Sequence, residues 1–162
     1  MAGLELTFDK KDFIVSKTDL LGKIIYCNET FINISEYSEV ELLNQPHSIL
    51  RHSDMPASIF KFLWTKIKRK EEIFAYVINK TKHDNYYWVM AHITPSLNDA
   101  EEIIGYHSVR RKPEKKALDA IKTLYRQLLN AEKIGGIQAG EKALESFLNQ
   151  QKGEYDEFIL SL

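Results

Sequence analysis

The sequence predicts an α+β fold, with a five-stranded antiparallel sheet, short helices gathered on one face of it and helices at the C-terminal end. Three observations carry this. Two short β-branched and aromatic runs flank the turn Thr18-Asp19-Leu20-Leu21-Gly22, which is a hairpin pattern. Three more strand patterns follow a group of short helical ones and are joined by short polar turns, which favours antiparallel pairing with the helices on one face. After Pro113 the apolar period lengthens from about two to about 3.6.

Taken in order, Met1 to Lys11 is mixed and polar, an N-terminal cap or a fraying end. Asp12 to Lys17 and Lys23 to Cys27 are the two strands of the hairpin. Asn28 stands where it caps a short helix whose apolar side is Phe31, Ile32 and Ile34. Ser38, with Glu41 three residues on, is a capping-box pattern for a second helical turn over Glu39 to Leu43. Glu72 to Lys80, Tyr86 to Leu97 and Glu102 to Arg110 are the last three strands, with Pro95 loosening the ladder near the end of the fourth. Glu114 to Lys133 is helical, with Leu118, Ile121, Tyr125 and Leu128 as an apolar stripe. Gly135-Gly136 is expected to end that helix. Ala139 to Gln151 is a further helix, and Phe158 to Leu162 a short apolar tail.

The composition is that of a water-soluble globular chain: 162 residues, 44% hydrophobic and 28% charged. A net charge of −1 supplies no global field for nucleic acid. The basic runs Lys61 to Lys70 and Arg110 to Lys116 read as solvated faces. A single cysteine, Cys27, excludes an internal disulfide and fits a reducing compartment. Without a signal-peptide pattern or a run of about 18 apolar residues, the expected location is the cytoplasm. There is no CxxC, GxSxG, HExxH or Gly-rich phosphate loop, so neither a catalyst nor a metal site is expected.

The chemistry concentrates between Gln45 and Trp64. His47, Arg51, His52 and Asp54 fall within eight residues and precede a helix that opens at Pro56, a residue tolerated in a first helical turn. Asp54 is placed to cap that helix. Its apolar face holds Ile59, Phe60, Leu63, Trp64 and Ile67. Imidazoles and a guanidinium beside such a face point to a ligand site, because ionisable groups are rarely buried without a partner.

Several of these segments, in their order and spacing, resemble a PAS domain. They are Cys27-Asn28-Glu29-Thr30-Phe31, Gln45-Pro46-His47, Arg51-His52-x-Asp54-Met55-Pro56, Trp64, Asn79-Lys80 and Tyr87-Trp88-Val89. The subgroup they resemble is the flavin-binding PAS domain of bacterial aerotaxis receptors and related energy-taxis proteins. The similarity runs from Phe13 to Arg111, so residues 1–12 are expected to form a cap, 13–111 a PAS sensor domain and 112–162 a helical extension. The resemblance implies non-covalently bound FAD whose redox state reports on electron transport. It also implies a membrane-bound chemoreceptor-like partner that adjusts a chemotaxis kinase, in a two-protein system where the sensor is soluble. A second copy of the chain is the other partner considered.

Carried over position by position, the resemblance puts Asn28, His47, Arg51, His52, Asp54, Trp64, Asn79 and Tyr87 at or near the flavin. Asn79 shares a strand face with Val77 and offers both a donor and an acceptor to a ring edge. Arg51 and His52 suit a diphosphate, which a guanidinium pairs bidentately. Trp64 is also readable as plain core. Ile73-Phe74 stand where the aerotaxis receptors carry a Trp. Light-sensing flavin PAS domains carry a reactive Cys in a stretch that here, Asn44 to His52, has none, so adduct photochemistry is not expected. The alternatives are a haem PAS domain, with His47, His52 or His107 as axial ligand, and a cofactor-free PAS interaction module.

Overall fold

The computed structural model describes residues 3–151 and 153–162. The strands are β1 (Ile14–Asp19), β2 (Ile24–Cys27), β3 (Ile73–Lys80), β4 (Tyr86–Leu97) and β5 (Ile103–Arg111). They form one antiparallel sheet in the order β2-β1-β5-β4-β3, so the first hairpin closes onto the last strand. Between β2 and β3 come α1 (Glu29–Ser35), α2 (Glu39–Leu42), a single 3₁₀ turn (His47–Leu50) and α3 (Ala57–Lys68). The chain ends with α4 (Lys115–Gln151) and α5 (Tyr155–Ser161). This is the expected α+β architecture.

The short helices start where local chemistry dictates. Asn28 accepts the Phe31 amide through Oδ1 at 3.1 Å, and Ser38 and Glu41 exchange both bonds of a capping box. At the N-terminal end, Leu6 N donates to Tyr86 O at 2.7 Å and Tyr86 N to Leu4 O at 3.0 Å, tying that segment to the start of β4.

Register fixes which residues share a face. The pairs Asn79↔Tyr87, Val77↔Val89, Ala91↔Arg110 and Ser16↔Ser108 all belong to the inner face, under α1 to α3. The opposite face carries Tyr76, Trp88 and Met90 and is covered by α4. There the Tyr125 hydroxyl donates to Tyr76 O at 2.5 Å, its ring lies 6.0 Å from Trp88, and Lys122 Nζ sits 5.8 Å over the Trp88 ring.

One expectation is corrected. Asp54 does not cap α3: its side chain is at the surface beside His52, because the backbone turns there with Met55 N bonded to His52 O. The free amides of Ala57 and Ser58 go instead to the Glu132 carboxylate of α4, at 3.1 and 3.0 Å. Gly135-Gly136 ends the first helical segment as expected: Gly136 adopts φ 74°, ψ −167°, a non-helical conformation open chiefly to glycine, and α4 is two helical segments joined at this kink. The stripe of Ile121, Tyr125 and Leu128 packs on the outer face of the sheet, where all three are buried in one core with Trp88, Met55 and Ile59. The apolar tail forms α5 and buries Tyr155 and Ile159 in the same cluster.

Candidate functional site

A cavity of about 230 Å³ lies between the inner face of the sheet and α3. Its apolar walls come from Phe60, Leu63, Trp64 and Ile67 on the helix and from Ile73, Val77, Ala91 and Ile93 on the sheet. The i, i+3, i+4, i+7 spacing of the helical set and the two-residue alternation of the strand set place them on facing surfaces. Trp64 is 38% exposed and packs edge-on against Tyr106 of β5 at 5.2 Å, so this pair stands at the mouth. Leu21, Gly22 and Ser48 line the same opening.

The polar wall is built by β1, β5 and the start of the 3₁₀ turn. His47 is held by its own amide, which donates to Gly22 O at 2.9 Å, while Lys23 and Pro46 form a backbone bridge. Its Nε2 lies 3.3 Å from Ser16 Oγ and 3.3 Å from Arg110 Nη1. A guanidinium only donates, so Nε2 is the acceptor and the proton of the neutral ring sits on Nδ1. Burial, reinforced by the Arg110 charge, pushes the His47 pKa down to about 3.

Arg110 is only 2% exposed. Its Nη2 donates to Ser16 Oγ at 2.7 Å, its Cζ lies 4.6 Å over the Phe31 ring, and its Nε has no protein partner. Desolvation lowers its pKa to about 10, which leaves it charged at neutral pH. Among the described residues, no carboxylate lines the cavity.

The structure separates the eight expected residues into two groups. His47, Arg51, Trp64 and Asn79 meet on the cavity wall. Arg51 bridges Asn79 through the backbone, and its side chain lies 4.1 Å over Phe60 at the exposed edge. Asn79 is buried with Nδ2 lacking any partner. The other four lie off the wall. Asn28 is fully engaged in local structure, accepting from Val15 N and Phe31 N and donating to Phe13 O. Tyr87 shares the inner face with Asn79 but belongs to the core with Phe31 and Val89, and burial pushes its phenol pKa up to about 12. His52 is buried, with Nδ1 accepting the Asp54 amide at 3.0 Å, and Asp54 is exposed beside it. These two residues border a separate shallow depression or the surface, away from the cavity.

Arg110 and Ser16 escaped sequence reading. Arg110 opens a basic run and looks solvated, but it is also the last inward position of β5, two residues beyond Ser108. That alternation was the available signal.

The strand order, the one-sided cover of short helices and the cavity between the sheet and α3 define a small α+β domain built around an internal site. The family model of the PAS fold matches residues 11–111, and the chain belongs to the PAS fold family. It is similar to the aerotaxis receptor of Escherichia coli (strain K12), 36% identical over 115 residues, which are 71% of this chain and 22% of the receptor. The nitrogen fixation regulatory protein of Klebsiella oxytoca is 32% identical over 97 residues, 60% of this chain and 20% of that protein. The chain thus spans about a fifth of the length of these curated relatives. Among solved structures it resembles a light-oxygen-voltage domain studied with a flavin analogue, with TM-score 0.62 at 15% identity over 70% of this chain and 87% of that one. The dark-state LOV domain of the blue-light photoreceptor Aureochrome1 gives TM-score 0.61 at 16% identity over 74% and 86% of the two chains. At these identities the likeness is one of fold.

Proposed function

We propose that this chain is a redox sensor which holds FAD in the cavity between the sheet and α3. Its redox state is signalled from the cytoplasm to a membrane-bound chemoreceptor-like protein. The observation that carries this reading is the polar wall. Asn79 Nδ2 and Arg110 Nε are buried without protein partners on the lining of an otherwise apolar cavity, which suits a flat ring with polar edges. The relationship to an aerotaxis receptor and to a nitrogen fixation regulatory protein supports a sensor rather than a catalyst.

In this reading Asn79 and His47 orient the ring, the apolar side chains of α3 exclude water from it, and Trp64 covers the mouth. The cavity, about 230 Å³, falls below the ~300–1,000 Å³ of pockets that enclose a drug-sized ligand. The rest of the dinucleotide therefore leaves through the opening, past the exposed Arg51, whose guanidinium suits the diphosphate. FAD supplies a reversible electron carrier; the protein supplies orientation and field. None of the described helices is long and apolar enough to cross a membrane. Helix α4, continuous with β5 through Pro113 and packed on both the sheet and α3, is the route by which a change at the ring reaches a partner or a second copy of the chain.

A haem reading is less well served. His47 Nε2 is already engaged by Arg110 and Ser16, His52 lies outside the cavity, and His107 is on the opposite face of the sheet. An absorption spectrum of gently purified protein tests the proposal: a flavin band released as FAD on denaturation supports it. A Soret band would replace flavin with haem, and a colourless protein that takes up no added FAD would leave a cofactor-free interaction module.

A further inference from the structure

Arg110 presents a charge balance that the fold alone does not explain. A guanidinium at 2% exposure is expected to face a carboxylate, since an uncompensated buried charge is strongly destabilising. Here its neighbours are a hydroxyl (Ser16), a neutral imidazole (His47) and the face of Phe31. The nearby phenol of Tyr87 stays protonated at neutral pH. Among the described residues lining the cavity, Arg51 is the other charged one and has the same sign, and none is acidic. The Arg110 Nε–H has no protein partner.

We propose that Arg110, steadied by Ser16 and His47, is a charge-stabilising subsite for the electron-rich form of the ring in this cavity. It binds the reduced flavin more tightly than the oxidised one and so raises the midpoint potential. The inference rests on the flavin reading above. Electrons delivered by an external reductant leave extra negative charge on the bound ring, and a fixed positive charge in a low-dielectric wall favours that state over the neutral one. Because Arg110 is preorganised by Ser16, little rearrangement is needed when the charge arrives. Arg110 acts here on the cofactor's potential, as charges near a flavin ring do. Arg51, exposed at the rim and screened by water, has a much smaller effect.

The test is a reductive titration with dithionite, in the presence of a reference dye, of full-length protein loaded with FAD. Wild type, Arg110→Gln and Arg110→Lys are compared, with circular dichroism to verify folding. Wild type is expected to have a midpoint above that of free FAD in the same buffer. Arg110→Gln should weaken binding of the reduced form about tenfold more than that of the oxidised form, a fall of about 30 mV for a two-electron couple. Arg110→Lys should recover most of the shift. A midpoint at or below that of free FAD in the wild type overturns the inference even if both variants fail to fold. Equal weakening of both redox forms in Arg110→Gln also overturns it and makes Arg110 a packing residue, while the flavin reading stands. Wild-type protein that binds no FAD overturns both.

Discussion

The Glu132 carboxylate of α4 grips Ser58 at the start of α3 twice, accepting its amide at 3.0 Å and its hydroxyl at 2.5 Å, and takes the Ala57 amide as well. Helix α3 therefore receives its N-terminal cap from a residue 74 positions away in sequence. An anionic oxygen at this end also meets the positive end of the helix dipole. The same contact joins the helix that walls the cavity to the helix that covers the opposite face of the sheet.

Glu132→Ala should lower stability by about 1.5–3 kcal/mol, the range for hydrogen bonds to a charged group. Gly140 offers an independent way to disturb the contact. A Cβ there would lie 2.7 Å from both Ser58 Oγ and Glu132 Cγ, so Gly140→Ala should push the carboxylate off Ser58. If both act on one contact, the double variant should lose less than the sum of the singles in urea denaturation. Additive losses would mean that Gly140 matters for another reason.

That capping arrangement also marks what the sequence could not show. Local rules select Asp54, two residues before Pro56, because a sequence displays only neighbours. The pairing of β1 with β5 is invisible for the same reason: Ile14 and Arg110 carry no mutual pattern, whereas the hairpins on either side announce themselves through their turns. The strands were legible from two-residue alternation, and Asn79 was legible as an inward residue because Val77 shares its face. Arg110 has the same alternation, but its basic neighbours masked it. Asn28 and Tyr87 match a family pattern at positions that here serve capping and core packing. A motif marks a position and leaves open whether that position touches the cavity.

Asn79 and Arg51 should behave differently on substitution. Asn79→Leu replaces an unpartnered buried amide with an apolar group of similar volume, so the fold should be unharmed or slightly stabilised. Flavin retention should fall about tenfold or more with the loss of the ring-edge bonds. Arg51→Ala, at the exposed rim, should weaken FAD but leave riboflavin, which has no diphosphate, nearly unaffected. Equal loss of both ligands would place Arg51 against the ring instead. Fluorescence titration of apo-protein with each ligand separates these outcomes.

Ile121 and Leu128 are fully buried, so a glutamate at either position puts an unpaired charge into the core shared by α3, α4 and the sheet. Ile121→Glu should abolish the cooperative unfolding transition or send the protein to the insoluble fraction. A stable, flavin-competent Ile121→Glu protein would show that α4 can leave the sheet without loss of the domain.

The pH dependence of stability follows from His47. In the unfolded chain its imidazole titrates near 6.5, while in the fold burial and Arg110 hold it to about 3. Between those values the unfolded chain binds a proton that the folded one refuses. Stability is therefore complete above about pH 6.5 and falls as the pH drops, by up to about 1.4 kcal/mol per unit from this residue. His107, also depressed and on the opposite face, adds a slope of the same sign, and so do Glu36 and Glu41, whose lowered pKa values act at more acid pH. His47→Gln isolates the main contribution, because its amide oxygen still accepts from Arg110 but does not titrate. Wild type should lose about 2 kcal/mol more than the variant between pH 6.5 and 5.0, read from urea midpoints at each pH. Parallel curves for the two proteins would mean that His47 takes up its proton in the fold as readily as in water, which the Arg110 contact at 3.3 Å opposes.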